Sequence, residues 1–297
     1  MEKTKGFYDL CVPFNKDQKV MTSIVKELIE LGYKTIAIEE IFDHSKKDAN
    51  KRGSEMFPEP ADVSFLNEFK NKIKILSRLT IIYVDVSVSH AMSNSMNIKK
   101  FNIVAGLPKN DVTLTHCCTT FNGDIVTFDP EGSKLLVNRK NYQVAVKRGV
   151  FFEIKYSPVI TNSSCRKDTI KLTHNYHAKG KSKSIILSSG ARNIFDLRGP
   201  FDISNLALIF GLSEDQGKNS IGSTCRQLVL RAEARRLGKT IMFAKGAGPI
   251  CLSSSSGESS SEEDEMEGGK NESGDDDDDM NEQPNKKKKL WKIVKTS

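Results

Sequence analysis

The chain has 297 residues, 37% of them hydrophobic and 28% charged, with a formal net charge of +7. That length supports one large α/β domain or two small ones. No apolar run approaches the roughly 20 residues that span a bilayer, and the opening Met1-Glu2-Lys3-Thr4-Lys5 lacks the apolar core of a secretory signal.

In chain order, Phe7–Val12 reads as a first buried strand closed by Pro13. Asn15, with Gln18 three residues on, has capping-box spacing. Val20, Met21, Ile24, Val25, Leu28 and Leu31 then follow a helical period that Gly32 ends. Thr35–Glu39 is a second strand, so the chain opens with a β-α-β unit, which implies a parallel pair. His44–Pro60 reads as a long loop and Ala61–Phe69 as a short helix. Ile73–Val84, Asn102–Gly106, Asp124–Phe128, Val150–Ile154 and Ile185–Leu187 complete seven strands. Arg139–Arg148 and Ser163–Lys179 read as polar helices between them. After the seventh strand come a small-residue turn (Ser188-Ser189-Gly190), a helical apolar pattern (Phe201, Leu206, Ile209, Phe210) and a short helix capped by Ser213 and Gln216. A final helix spans Ser223–Arg236. Strand starts near residues 7, 35, 73, 102, 124, 150 and 185 are each about one βα unit apart. The predicted fold is therefore an α/β, TIM-like barrel, seven-stranded and incomplete, with extra C-terminal helices; a doubly wound open sheet is the alternative.

The predicted domain covers residues 1–240. From Ser253 the composition turns to serine, acid and glycine, which cannot bury enough apolar surface to offset its ordering entropy, so residues 253–297 are expected to be disordered. The acidic part, Ser253–Glu282, carries −12; Gln283–Ser297 carries +6; residues 1–252 are left with +13. Ser255, Ser259, Ser260 and Ser261 each have an acid three residues downstream, as acidophilic kinases favour. Pro284-Asn285-Lys286-Lys287-Lys288-Lys289 has the form of a basic nuclear-import segment, or simply of a solvated charge run. A body this basic favours a polyanionic partner.

The six cysteines (Cys11, Cys117, Cys118, Cys165, Cys225, Cys251) form no C-x-x-C pair. This argues for reduced thiols in an intracellular compartment rather than a zinc ribbon or disulfide framework. Carboxylates near strand ends (Asp9, Glu39, Asp85, Asp129, Glu153) invite a hydrolase reading, but the chain has only five histidines, and two-metal chemistry needs several imidazoles converging. His174 and His177 are three apart on a polar helix, with no third ligand in view. No P-loop, G-x-S-x-G or G-x-G-x-x-G occurs. The basic residues are more informative. Lys74, Arg78, Arg139, Lys147, Arg148, Arg166, Lys167, Arg192, Arg198, Arg226 and Arg231 fall mostly at strand ends, in loops or at helix termini. Guanidinium groups bind phosphate bidentately, so these are the candidate RNA- or partner-binding residues. The lack of an evident stacking surface points to structured RNA read by shape.

The segments Lys74–Ile81 (KILSRLTI), Arg148–Pro158 (RGVFFEIKYSP) and Ser188–Ser213, with Phe7–Pro13 (FYDLCVP) and Ser223–Arg226 (STCR), resemble the 30-kDa protein subunit family of ribonuclease P and ribonuclease MRP over about residues 5–240. The resemblance implies a TIM-like barrel related to the PHP metal-dependent phosphoesterases. It also implies a supporting role for a catalytic RNA that removes the 5′ leader of precursor tRNA, a place in the MRP particle that processes ribosomal RNA, and a nuclear, nucleolar location. The implied partners are ribonuclease P RNA, MRP RNA, precursor tRNA within the holoenzyme, and a small protein subunit of RNP-like fold beside other subunits. No membrane partner and no cofactor are implied. PHP enzymes open with Asp-x-His-x-His on the first strand; here Asp9 is kept, but Cys11 and Pro13 stand at the histidine positions. Proline cannot ligate a metal, so no catalytic or metal residue is assigned. A PHP-like phosphoesterase with reorganised ligands is the alternative.

Overall fold

The computed structural model describes residues 6–43, 55–129 and 135–238. The expected disordered tail, its serines and its basic segment lie outside the described residues. Seven strands, β1 (Phe7–Pro13), β2 (Tyr33–Asp43), β3 (Lys74–Tyr83), β4 (Ile103–Pro108), β5 (Ile125–Val126), β6 (Phe151–Lys155) and β7 (Ile185–Ser188), form one sheet in sequential order with every pair parallel. Sequential parallel order leaves only the β1 and β7 edges to meet. They meet through a seam rather than a ladder. The Gly190 amide donates to the Cys11 carbonyl (2.8 Å), the Ser189 hydroxyl donates to the same carbonyl (3.1 Å), and the Ser189 amide donates to Asp9 Oδ1 (2.9 Å). Gly190 adopts φ +59, a left-handed conformation that costs glycine little. The Ser188-Ser189-Gly190 turn is thus the closure of the barrel. At the other end of the seam, the Tyr8 amide donates to the Ile221 carbonyl (2.9 Å).

The surrounding helices are α1 (Gln18–Glu30), α2 (Val88–Asn94), α3 (Asp111–Thr119), α4 (Arg139–Arg148), α5 (Ser157–Thr161), α6 (Ser163–Gly180), α7 (Pro200–Ile209), α8 (Glu214–Ser220) and α9 (Ser223–Leu237). Differences from the sequence expectation have local causes. Asp17, not Asn15, caps α1: its side chain accepts from the Lys19 amide, while Asn15 Oδ1 accepts from the Asp17 amide one step earlier. The Ala61–Phe69 helix is a 3-10 segment over Ser64–Phe69. The short α2, α3 and α5 have no counterpart in the sequence expectation, because at 7, 9 and 5 residues they show too little of a period; α3 is marked instead by a reciprocal capping box between Asn110 and Thr113. Cys117 and Cys118, buried in α3, serve as small apolar residues. In α7, Phe201 and Ile209 point outward (70% and 56% exposed), and Pro200, Ile203, Ser204 and Ala207 form the buried face. Small residues are selected there because α8 crosses closely: a Cβ at Gly217 would lie 2.8 Å from the Ser204 carbonyl oxygen.

Strand alternation sorts the core into two regions. Leu79, Ile81, Val104, Val126, Phe152, Ile154 and Leu187 face outward into the helix layer, where Tyr142 stacks on Phe152 with centroids 4.5 Å apart. Tyr8, Leu10, Ala37, Leu76, Ile103, Ala105, Ile125, Phe151 and Ile186 cluster together with Cys225, Leu228 and Ala232 of α9. The last helix therefore plugs the N-terminal mouth of the barrel with its apolar side. The α8 cap is as expected, with Ser213 Oγ accepting from the Gln216 amide and the Gln216 side chain accepting from the Ser213 amide. Ser213→Ala is expected to cost about 1 kcal/mol of unfolding free energy, read as a shift in the urea midpoint at constant slope.

Candidate functional site

The same alternation that places Leu76 and Phe151 near the plugged mouth carries Arg78, Thr80, Glu153 and Lys155 further along the barrel interior. Arg78 is fully buried. Its Nη1 and Nη2 donate to the two carboxylate oxygens of Glu153 (2.5 and 2.6 Å), Nη1 also donates to the Leu10 carbonyl (2.7 Å), and Nε donates to Thr80 Oγ1 (3.2 Å). Nη2 lies 3.3 Å from Glu39 Oε1, which also accepts from Thr80 Oγ1 (2.7 Å) and from Lys155 Nζ (3.1 Å). Ser188 Oγ donates to Glu153 Oε1 (2.5 Å). Five strands thereby contribute to one ionic layer across the barrel: two carboxylates, a guanidinium and an ammonium.

Burial works to raise the carboxyl of Glu39, but Lys155 and Arg78 outweigh it and hold the group down to about 2. For Glu153, burial again opposes, and Arg78 brings the group below its ordinary range. Arg78 and Lys155, in turn, are held protonated against burial by these carboxylates. Asp9 behaves oppositely. Burial pushes it up to about 6 despite hydrogen bonds from Ser189 and Cys11, and its Oδ2 has no hydrogen-bond partner.

These residues do not fit a divalent metal. Both central carboxylates are already engaged by cationic side chains, a fixed guanidinium and ammonium stand among them, and the positions that follow Asp9 on its face of β1 are Cys11 and Pro13, which offer no imidazole. The Cys11 thiol is pushed well up by burial, so it is not a ready thiolate ligand.

The basic residues singled out in the sequence are not gathered into one site. Arg78 was expected among the RNA or partner contacts; it is instead an interior structural residue, because position 78 shares the inward face of β3 with Leu76 and Thr80. Lys74, Lys147, Arg148, Arg226 and Arg231 lie towards the N-terminal mouth, on the first residue of β3, the last turn of α4 and α9. Arg139, Arg166, Lys167, Arg192 and Arg198 lie towards the opposite end, at the starts of α4 and α6 and after β7. Several already hold carbonyls: Arg166 donates to those of Val159 and Ile160 (2.8 and 3.0 Å), Arg198 to Phe195 and Leu197 (2.7 and 2.6 Å), and Arg148 to Cys118 and Phe121 (3.1 and 2.7 Å). Cationic residues outside that sequence list also take part, Lys155 and Arg235 among them. Lys155 is legible as inward from the alternation Phe151, Glu153, Lys155. Arg235 forms a two-point ion pair with Asp124 (2.9 and 2.8 Å), which no sequence spacing reveals. His174 and His177 are exposed on α6. No helix among the described residues is long and apolar enough to cross a membrane.

Residues 6–237 match the family model described as RNase P subunit p30. The chain is 33% identical over 237 residues to the mouse ribonuclease P protein subunit p30, covering 78% of this chain and 87% of the relative. It is 30% identical over 219 residues to the probable ribonuclease P protein subunit 3 of Schizosaccharomyces pombe, covering 73% and 88%. Among solved structures, a chain from the cryo-EM structure of archaeal ribonuclease P with mature tRNA superposes with a TM-score of 0.58 at 14% identity, covering 82% of this chain and 97% of that one. At that identity the likeness shows the fold alone. With the barrel and its ionic centre in view, the sequence match is decisive: this chain belongs to the ribonuclease P subunit p30 family.

Proposed function

We propose that the chain is a non-catalytic protein subunit of ribonuclease P, shared with the MRP particle, that binds and stabilises the RNA which removes the 5′ leader of precursor tRNA and processes ribosomal RNA. The family match over residues 6–237 carries the reading. The ionic layer supports the non-catalytic half of it: the space where a barrel hydrolase would hold reacting groups is occupied by mutually neutralising side chains. The alternative of a PHP-like phosphoesterase with reorganised ligands has no such support. The net charge of +13 on residues 1–252 supports RNA as the polyanion, and Lys74, Arg139, Lys147, Arg148, Arg166, Lys167, Arg192, Arg198, Arg226 and Arg231 are its contacts or those of partner subunits. The exposed apolar residues Phe195, Phe201, Leu208 and Ile209, on and just before α7, suit a protein partner such as a small RNP-like-fold subunit. The site of action is the nucleus, including the nucleolus.

The test is equilibrium binding of the full chain to its cognate ribonuclease P RNA across a salt series. Affinity should fall by orders of magnitude between about 50 and 200 mM salt, with log K linear in log salt. Binding indifferent to salt would overturn the phosphate-contact account. Cleavage of precursor tRNA by the chain without RNA would overturn its non-catalytic assignment.

A further inference from the structure

The two ends of the barrel differ in charge. Among the described residues, the loops leading from helices into strands carry Lys70, Lys72, Lys99, Lys100, Lys181 and Lys183 against a single acid, Asp124. The described residues of the loops leaving strands, apart from the long β2–β3 connection, include four basic and four acidic residues. Helix α9 adds Arg226, Arg231, Arg235 and Arg236 against Glu233 at the N-terminal mouth. The excess positive charge of the strand-flanking loops and of α9 therefore lies at that mouth, although barrel enzymes place their chemistry at the other.

Within the mouth, a cavity of about 480 Å³ opens between the α2–β4 loop, the α3–β5 loop, the end of α4 and α9. Four cationic side chains line it: Lys99, Arg148, Arg231 and Arg235. Asp124, the one acid on its wall, is already spent, since it pairs with Arg235 and accepts the Val104 amide through Oδ2 (2.9 Å). Among the described residues, three positive charges, on Lys99, Arg148 and Arg231, remain without an ion-pair partner. Arg148 is half-buried and held in place by the Cys118 and Phe121 carbonyls, which use two of its five N–H groups. The Arg231 guanidinium lies against the backbone at Gly149, so close that a Cβ there would meet its Nη1 at 2.3 Å; it makes no hydrogen bond or ion pair among the described residues. Burial and the neighbouring Arg231 both push the Arg148 guanidinium below its ordinary range, as expected of two like charges awaiting an anion. A larger cavity of about 990 Å³, bordered by Lys34, Lys70, Lys72 and Lys74, offers only lysines and includes Asp62 on its wall.

We infer that the Lys99–Arg148–Arg231–Arg235 cavity is a binding site for a backbone phosphodiester of RNA and that the N-terminal mouth is the RNA face of the chain. The inference rests on the RNA-binding reading above. The cavity supplies what phosphate recognition needs: fixed, planar guanidinium donors, net positive charge and a concave, partly desolvated wall. Phosphate contacts of this kind position a folded RNA without reading its sequence.

The test compares the full-length chain with the Lys99→Gln/Arg231→Gln double variant, both binding ribonuclease P RNA across a salt series. Both side chains are exposed, and an unchanged thermal midpoint checks the fold. As a charge-matched control, Lys19→Gln/Lys26→Gln removes two exposed lysines from α1, away from the mouth. The mouth variant should lose about tenfold or more in affinity at 100 mM salt and lower the salt slope by about 1.5, while the control keeps the wild-type slope. An unchanged slope in the mouth variant, or an equal loss in the control, would overturn the site; so would lost binding of a partner subunit with RNA affinity intact. Failure of the wild-type chain to bind RNA at any salt would instead overturn the functional reading beneath it.

Discussion

Replacing Arg78 by methionine is expected to lower the unfolding free energy by about 3–5 kcal/mol, because it leaves two buried carboxylates facing one ammonium. Glu153 would lose both of its guanidinium hydrogen bonds, and Glu39 one of its two cationic neighbours. The Arg78→Met/Glu153→Gln double variant should recover part of the loss, since it removes the stranded charge together with its partner. A double-mutant cycle from urea melts measures that coupling. The result separates structure from recognition at position 78. A basic residue in direct contact with RNA would cost little stability when replaced but would lower the salt slope of RNA binding by about 1. Because Arg78 has no exposure, the prediction is the reverse: a large stability loss and, under conditions where the variant is folded, an unchanged slope. A stable Arg78→Met protein with a reduced slope would refute the interior assignment.

The second large effect concerns Asp9 and is visible only as a function of pH. Its folded-state carboxyl is raised to about 6 from an ordinary 3.8 by burial. A raised group contributes stability that is fully present below its unfolded value and is lost as pH rises through its folded value. Wild-type protein should therefore gain stability relative to Asp9→Asn as pH falls from about 7 to 4, by an amount approaching 3 kcal/mol. Asparagine keeps an oxygen to accept the Ser189 and Cys11 amides, so the barrel seam is retained in the comparison. Glu39 and Glu153 have the opposite sign, losing stability as pH falls below the ordinary carboxylate range, but they are common to both proteins and cancel in the difference. The check is the urea midpoint of each protein at several pH values. Parallel curves would show that Asp9 is charged throughout and that its environment is not the apolar one described.

The seven strands were legible because parallel strands covered on both faces are continuous apolar runs, and six of the seven are long enough to show it. Strand β5 reduces to Ile125 and Val126, since the chain leaves the ladder as soon as its two inward and outward apolar positions are placed. Helices α2 and α3 are not legible because, at 7 and 9 residues, each is too short for its buried positions (Val88 and Met92; Leu114, Cys117 and Cys118) to stand out as a period. The candidate site was less legible than the fold. Arg78 interrupts an apolar strand, and an interruption reads as a surface residue unless the inward face is known. The N-terminal cavity joins Lys99, Arg148, Arg231 and Arg235, from three separate parts of the chain, so no motif could announce it.

Residue type and spacing alone determined the succession of βα units, the strong positive charge of residues 1–252, the family, and the presence of Cys11 and Pro13 rather than imidazoles beside Asp9 on the first strand. Each of these is a local property of residue type and spacing. The tertiary structure alone decided which side of each strand became the interior, because facing is defined only once β7 closes on β1. That closure turned Arg78, Glu39, Glu153 and Lys155 inward to neutralise one another. It also gathered basic residues from distant loops and α9 at one mouth of the barrel, where their charges add because Asp124, the acid among those loops, is already bound.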